Sequence, residues 1–352
     1  MTLLLISLRS DHGGGPKHLL DLATQLKIDH PSQRIAIAAP DEAPYGPAFK
    51  ELAGPLFFEL PHRKFTLGAF WRLARWARHQ GVSTVHSHGR GAGVYSRLLK
   101  FLDSRLRVVH TFHGFHRGAG LTGSLKVAVD RLLAPWADAY IAVAPDEKIL
   151  LESNGCTKEI PCHVILNGVA TPSALSPRSH FRGVLGLLAR HDHQKGLDLL
   201  MRHLLAWNSL SPARPWVFHI AGFAPASFEV PGPLRDRVVL RGPLSDPRAF
   251  LRELDLYVSS ARWEGLPLSV LEAAAEGVPT LLSDVPGHAY FKDKKVTATF
   301  RLEDSNSFCH ELNQLFQSET QRLELAQKAF QLVREHHSVE RMARETELLY
   351  RA

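Results

Sequence analysis

Short apolar runs separated by stretches of helical periodicity recur along the whole chain. In the first half the runs Leu3–Ser7, Arg34–Ala38, Val82–His86, Arg107–Thr111, Ala139–Val143 and His163–Leu166 are too short for helices and suit buried strands. Between them, segments such as Lys17–Lys27 and Leu121–Ala134 carry apolar residues at helical spacing. The second half repeats the scheme. Strands are expected at Val184–Ala189, Trp216–Ala221, Val238–Arg241, Leu256–Ser259 and Thr280–Ser283. Helices are expected at Leu197–Trp207, Pro247–Leu254 and Pro267–Ala275, with a capped amphipathic helix over Ser338–Tyr350. Strand–helix alternation of this kind predicts an α/β protein with parallel sheets covered by helices. Asn167–Pro177 is rich in Pro and Ser, has no periodicity, and reads as an interdomain linker. The expected domains are therefore 1–170 and 171–337, with 338–352 packing back onto the first.

Composition changes this picture little. A length of 352 residues suits two domains, and 45% hydrophobic with 22% charged residues is ordinary for a folded chain. Cys156, Cys162 and Cys309 have neither disulfide nor metal-ligand spacing, so reduced thiols in a cytoplasmic protein are expected. The opening apolar run lacks a basic flank and is too short for a signal peptide, and no segment has the ~20 apolar residues that span a bilayer. Charge adds more. Lys and Arg outnumber Asp and Glu by 20 to 14 in residues 1–171, but only by 22 to 21 in 172–352. The first half thus faces something anionic: a lipid surface, a phosphorylated acceptor or nucleic acid. No recognition motif accompanies the charge, so nucleic acid is not expected as a partner.

The strongest chemical signal is Ser260–Pro279. Glu264 stands in a Gly/Pro turn with Gly265, Leu266 and Pro267, and Glu272 lies eight residues on, inside the helix that follows. Pro267 suits a first helical turn. The free N–H groups and positive dipole end of such a helix form a natural diphosphate site. The two carboxylates, at most roughly 12 Å apart along the axis, match the span from sugar to ribose of a nucleotide-sugar. A second constellation, Gly186–Gly196, carries Arg190 and Lys195 at a strand end. Two cations converging on one anion would offset the charge that grows on a departing diphosphate. The turn Asp11–His18 holds Gly13 and Gly14, where backbone can approach a ligand, although it lacks the dinucleotide fingerprint. His86, His88, His110 and His113 end two later strands, at the edge where open α/β sheets bind ligands. No acidic or cysteine partner has ligand spacing beside them, and no metal is expected there.

Taken together, these residues resemble the group 1 glycosyltransferases, family four of the retaining enzymes. The resemblance runs through the Gly13-Gly14 turn, His113-Gly114, Asn167-Gly168-Val169, Arg190 to Lys195-Gly196, and Glu264 to Glu272. The pairing of Val85–His88 with His110–Phe115 is similar to bacterial members that build capsule, exopolysaccharide or lipopolysaccharide chains. It implies the GT-B fold, two Rossmann-like domains facing across a cleft, and transfer of a sugar from a nucleotide-diphosphate donor to a glycan or lipid-linked acceptor. By the same resemblance Arg190 and Lys195 bind the donor diphosphate, with the Gly14 amide approaching it. Glu272 holds the ribose. Glu264, with the amides of Gly265 and Leu266, holds the sugar, and His113 sits against its reacting face. Neither metal nor other cofactor is implied. Three positions depart from the family pattern: Gly222-Phe223-Ala224, Ala170 and Tyr290. A nucleotide-sugar epimerase or hydrolase of the same architecture and a catalytically silent partner subunit are the competing readings.

One segment is left over. Arg63–Arg78 is basic and amphipathic with interleaved aromatics, as in helices that lie on an anionic leaflet. That would make the protein peripheral on the inner face of the cytoplasmic membrane. The alternative is a surface helix that packs Phe65, Phe70, Leu73 and Ala77 on the first sheet.

Overall fold

A computed structural model describes residues 2–115, 120–175, 180–210, 214–244 and 246–351. The chain divides into two compact units, Met1–Gly168 with Val339–Ala352, and Val169–Ser338.

The first unit holds a seven-stranded sheet in which every pairing is parallel. Its strands are β1 (Thr2–Ser7), β2 (Arg34–Ala39), β3 (Phe57–Glu59), β4 (Val82–His88), β5 (Arg107–Thr111), β6 (Ala139–Ala142) and β7 (Cys162–Val164), in the spatial order β3-β2-β1-β4-β5-β6-β7. Leu3 to Ile6 and Ile35 to Ala39 are buried on both faces of their strands, as their unbroken apolar runs require. Helices cover both sides. Helix Gly14–Asp29 seats Leu19, Leu22, Ala23 and Leu26 at helical spacing in one core. The last helix, Val339–Arg351, adds Met342, Ala343, Leu349 and Tyr350 to that same core.

The second unit repeats the plan with six parallel strands. These are β8 (Val184–Leu188), β9 (Val217–Ala221), β10 (Val238–Gly242), β11 (Leu256–Ser259), β12 (Thr280–Ser283) and β13 (Ala298–Phe300), ordered β10-β9-β8-β11-β12-β13. In both sheets the strand order reverses at one place, between β1 and β4 and between β8 and β11. Ligands bind outside the carboxyl ends of strands at such switch points.

Several expectations need correction. The edge strands β3 and β13, three residues each, were not anticipated, and β7 starts and ends earlier than expected. Pairs of alternating residues cannot announce so short a strand. The division between the two units falls within the expected linker, at Gly168–Val169, and the start of that stretch is anchored: Asn167 and Val169 are buried, and the Val169 amide donates to the His337 carbonyl at 2.8 Å. Ser176 and Pro177 of that linker lie outside the described residues. Pro267 is not in the first helical turn but caps helix Leu268–Ala275 from outside, its carbonyl accepting from the Val270 and Leu271 amides. The basic helix begins only at Leu67, where the Thr66 hydroxyl caps it, and runs to His79. Phe70, Leu73 and Ala77 pack inward as the packing alternative required, but Phe65 stays exposed.

Candidate functional site

In the second unit the loop after β8 and the loop after β11 bring the two strongest sequence signals together. Gly196 has φ 62°, and a Cβ there would run into the Ser260 carbonyl, so only glycine lets the loops close. Ser260 Oγ donates to the Gly196 carbonyl at 2.9 Å, and the Arg262 amide donates to the Gln194 carbonyl at 2.7 Å. Gln194 Nε2 reaches both the Trp263 carbonyl (3.0 Å) and Glu264 Oε2 (3.2 Å). On this frame Lys195 Nζ lies 2.5 Å from Glu264 Oε1, with the two side chains 14% and 8% exposed. An ion pair so enclosed is held by partners rather than by solvent. Gly287 closes the same turn from β12: φ is 87°, and a Cβ would strike the carbonyls of Glu264 and Gly265.

Arg190 pairs with Asp192 at 3.1 Å, and Asp192 also caps the short 3-10 turn His193–Lys195. Arg190 and Lys195 thus each meet a carboxylate. Glu272 is buried on helix Leu268–Ala275, which follows the turn that carries Gly265, Leu266 and Pro267. Tyr257, at the switch strand, bonds the Ser269 hydroxyl at 2.8 Å and ties that helix to β11.

In the first unit the carboxyl ends of β1, β4 and β5 carry the Gly13–Gly14 turn, His88 and His113. Gly13 precedes helix Gly14–Asp29, and a Cβ there would meet the Arg9 guanidinium. Asp11 bridges Arg9 (2.7 Å) and Arg63 (2.7 Å). Burial opposes its ionisation, but the two guanidiniums win and hold its pKa near about 2. His113 adopts the left-handed conformation (φ 62°), uncommon for a side-chain-bearing residue and a frequent mark of functional positions. Its Nε2 lies 3.0 Å from His88 Nδ1, and its ring meets His18 edge-on at 4.6 Å between centroids. Burial keeps His113, His88 and His86 neutral well below the usual imidazole range, and lowers His18 to about 4.

The four strand-end histidines do not form one group. His86 spends both nitrogens on Tyr350 Oη (2.6 Å) and Thr111 Oγ1 (2.8 Å), and His110 bonds Ser87. Among the described residues, His18, His88 and His113 are the three whose nitrogens converge, within 4.8 Å. Glu147 escaped sequence reasoning, and Asn167 entered it only within the Asn167-Gly168-Val169 motif, with no role assigned. Glu147 is buried and accepts from the amides of Gly114 (2.6 Å), Phe115 (2.7 Å) and Val143 (2.7 Å), fixing the turn that carries His113. Its signal was a carboxylate in the first turn of the helix after β6. Asn167 orients His18 across 3.1 Å.

Residues 12–172 match the family model described as Glycosyltransferase Family 4, and residues 182–318 match that of Glycosyl transferases group 1. The chain belongs to the group 1 glycosyltransferases. A lipopolysaccharide core biosynthesis mannosyltransferase, LpsB of Rhizobium meliloti (strain 1021), is 32% identical over 213 residues, 53% of this chain and 55% of that protein. The chain thus spans about half the length of this relative. A UDP-Gal:alpha-D-GlcNAc-diphosphoundecaprenol alpha-1,3-galactosyltransferase of Escherichia coli is 26% identical over 68% of both chains. Among solved structures, Anabaena HepE in complex with UDP and glucose superposes with a TM-score of 0.81 at 16% identity over the full length of both chains. That likeness establishes the two-domain GT-B fold.

Proposed function

We propose that this protein is a retaining, metal-independent glycosyltransferase that moves a sugar from a nucleotide-diphosphate donor to a lipid-linked or growing bacterial surface glycan. The observation that carries the reading is the enclosed Lys195–Glu264 pair, framed by Gly196, Ser260 and Gln194 at the switch point of the second sheet. Donor binding exchanges partners there. The diphosphate takes Lys195 and Arg190, and Glu264 is released to accept hydroxyl protons of the sugar, helped by the amides of Gly265 and Leu266. Glu272 holds the ribose hydroxyls. The first unit supplies His113 and the Gly14 amide. As the glycosidic bond breaks, the electron pair stays on the diphosphate oxygen, where the two cations stabilise it. The acceptor hydroxyl attacks from the same face and gives its proton to that oxygen, so configuration is retained.

The acceptor reading draws on the LpsB and galactosyltransferase relatives and on the helix Leu67–His79. Leu67 and Trp71 stand 67% and 56% exposed beside Arg72, Arg75 and Arg78, while Trp76 turns inward onto Phe58. No described helix is long and apolar enough to cross a membrane. Attachment to an anionic leaflet would run through this face, at the inner surface of the cytoplasmic membrane.

A thermal-shift screen against nucleotide-sugars, followed by product analysis with and without lipid-linked acceptors, tests the reading. One donor should raise the melting temperature, and its sugar should appear on an acceptor. Turnover of donor alone into an epimer would favour an epimerase, and binding without turnover would favour a silent subunit.

A further inference from the structure

At the switch point of the first sheet three imidazoles meet with no carboxylate among them. His18 comes from helix Gly14–Asp29, His88 is the last residue of β4, and His113 follows β5. One nitrogen from each lies within 4.8 Å of the others. We propose that these three histidines form a binding site for a divalent ion that prefers imidazole, with zinc as the leading occupant, and that occupancy inhibits transfer.

Three observations carry the site. First, Asn167 Oδ1 stands 3.1 Å from His18 Nδ1. An amide oxygen only accepts, so His18 keeps its proton on Nδ1 and its Nε2 lone pair is left for another partner. A histidine ligand oriented through its second nitrogen is the usual arrangement around bound metals. Second, His88 Nδ1 and His113 Nε2 are 3.0 Å apart. Two nitrogens bound to one tetrahedral zinc at ~2.0–2.1 Å sit about 3.3 Å apart, so this pair needs little movement. The remaining distances close by side-chain adjustment. Third, His88 Nε2 is buried without a hydrogen-bond partner. When an ion replaces the proton between His88 and His113, the ring that held that proton carries it on its other nitrogen, and no proton is gained or lost.

The donor set also selects the ion. Magnesium and calcium require oxygen ligands, whereas imidazole suits zinc, cobalt, nickel and copper. A cavity of 330 Å³, lined by Ser7, Gly15, His88, Arg90 and His113 among others, borders the cluster and leaves room for a water as fourth ligand. His86, whose ring is 4.1 Å from that of His88, has both nitrogens engaged and serves as packing behind the site. Inhibition, unlike binding, rests on the proposed role of His113: a ring that ligates an ion is withdrawn from the donor sugar.

Titration of cobalt(II) into the chelator-treated full-length protein tests the binding. The expected result is a visible absorption band that saturates at one equivalent and is lost when zinc is added. His88→Gln and His18→Gln should each weaken cobalt binding at least ten-fold. Asn167→Ala, which leaves all three ligands in place, should weaken it roughly ten- to a hundred-fold, the usual effect of losing an orienting partner. Circular dichroism of the cobalt-free variants identifies any that fail to fold. Absence of the band, or unchanged binding in folded variants, overturns the site, because the remaining histidines would then account for the cobalt. Saturating zinc should lower transfer at least ten-fold, with recovery in excess chelator. Stoichiometric zinc with undiminished transfer would overturn the inhibition while leaving the donor-site reading of the second unit standing.

Discussion

Lys195 and Glu264 enclose each other at 2.5 Å, and that pairing fixes a cation before any diphosphate arrives. Preorganised charge of this kind is worth more in transition states than mobile charge, because no reorganisation is needed as the bond breaks. Lys195→Ala and Arg190→Ala should each lower kcat/KM by about 2–4 kcal/mol of transition-state stabilisation, measured with the donor identified by thermal shift. Full activity in both variants would remove these residues from the donor site. The residue types and spacing of this loop were legible in the sequence because all its members lie within a few positions of a strand end. His18 was not. A single histidine within a helix looks like packing, and its meaning depends on Asn167, 149 positions away, and on two strand-end histidines.

Between residues and domains, the turns after β5 and β8 show how elements hold a site. Glu147, in the first turn of helix Pro145–Ser153, gathers the amides of Val143, Gly114 and Phe115 on one buried carboxylate. Glu147→Gln replaces an acceptor-only group with one that brings two donors, and leaves at least one amide short of its partner. The variant should lose about 1–3 kcal/mol of stability and show faster hydrogen exchange at Gly114 and Phe115, with smaller changes in the second unit. Unchanged exchange there would mean the turn is held by other contacts. Central strands such as β5, β11 and β12 could be read from the sequence because burial on both faces demands an unbroken apolar run. The edge strands β3 and β13 could not, since three residues exposed on one side carry no such run. The anchoring of Asn167–Val169 at the division between the units was not legible for a related reason: its partners, His18, Met342 and His337, come from distant parts of the chain.

At the scale of the molecule, charge and titration act on the whole chain. Replacing Arg72, Arg75 and Arg78 by Glu reverses the exposed basic face beside Trp71. Each basic residue near an anionic leaflet contributes about 1 kcal/mol. Wild type should co-sediment with anionic vesicles at low salt, while the triple variant stays in solution and still transfers to a soluble acceptor analogue. A wild type that never pellets would make helix Leu67–His79 a solvated packing helix. Stability should also depend on pH. In the second unit burial lowers the pKa of His203 and His288 below the ordinary 6.5. Below that value the unfolded chain takes up protons that the native state refuses, so stability falls as pH drops and is fully present above it. Urea unfolding from pH 7.5 to 5 should show this decline, and His203→Gln should flatten it. A stability that rose on acidification would contradict the neutral, buried assignment. The central claim, sugar transfer with retained configuration, is tested most directly by NMR of the anomeric centre in the product formed from an α-linked nucleotide-sugar. The account predicts an α-linked product and free nucleoside diphosphate. A β-linked product would contradict it.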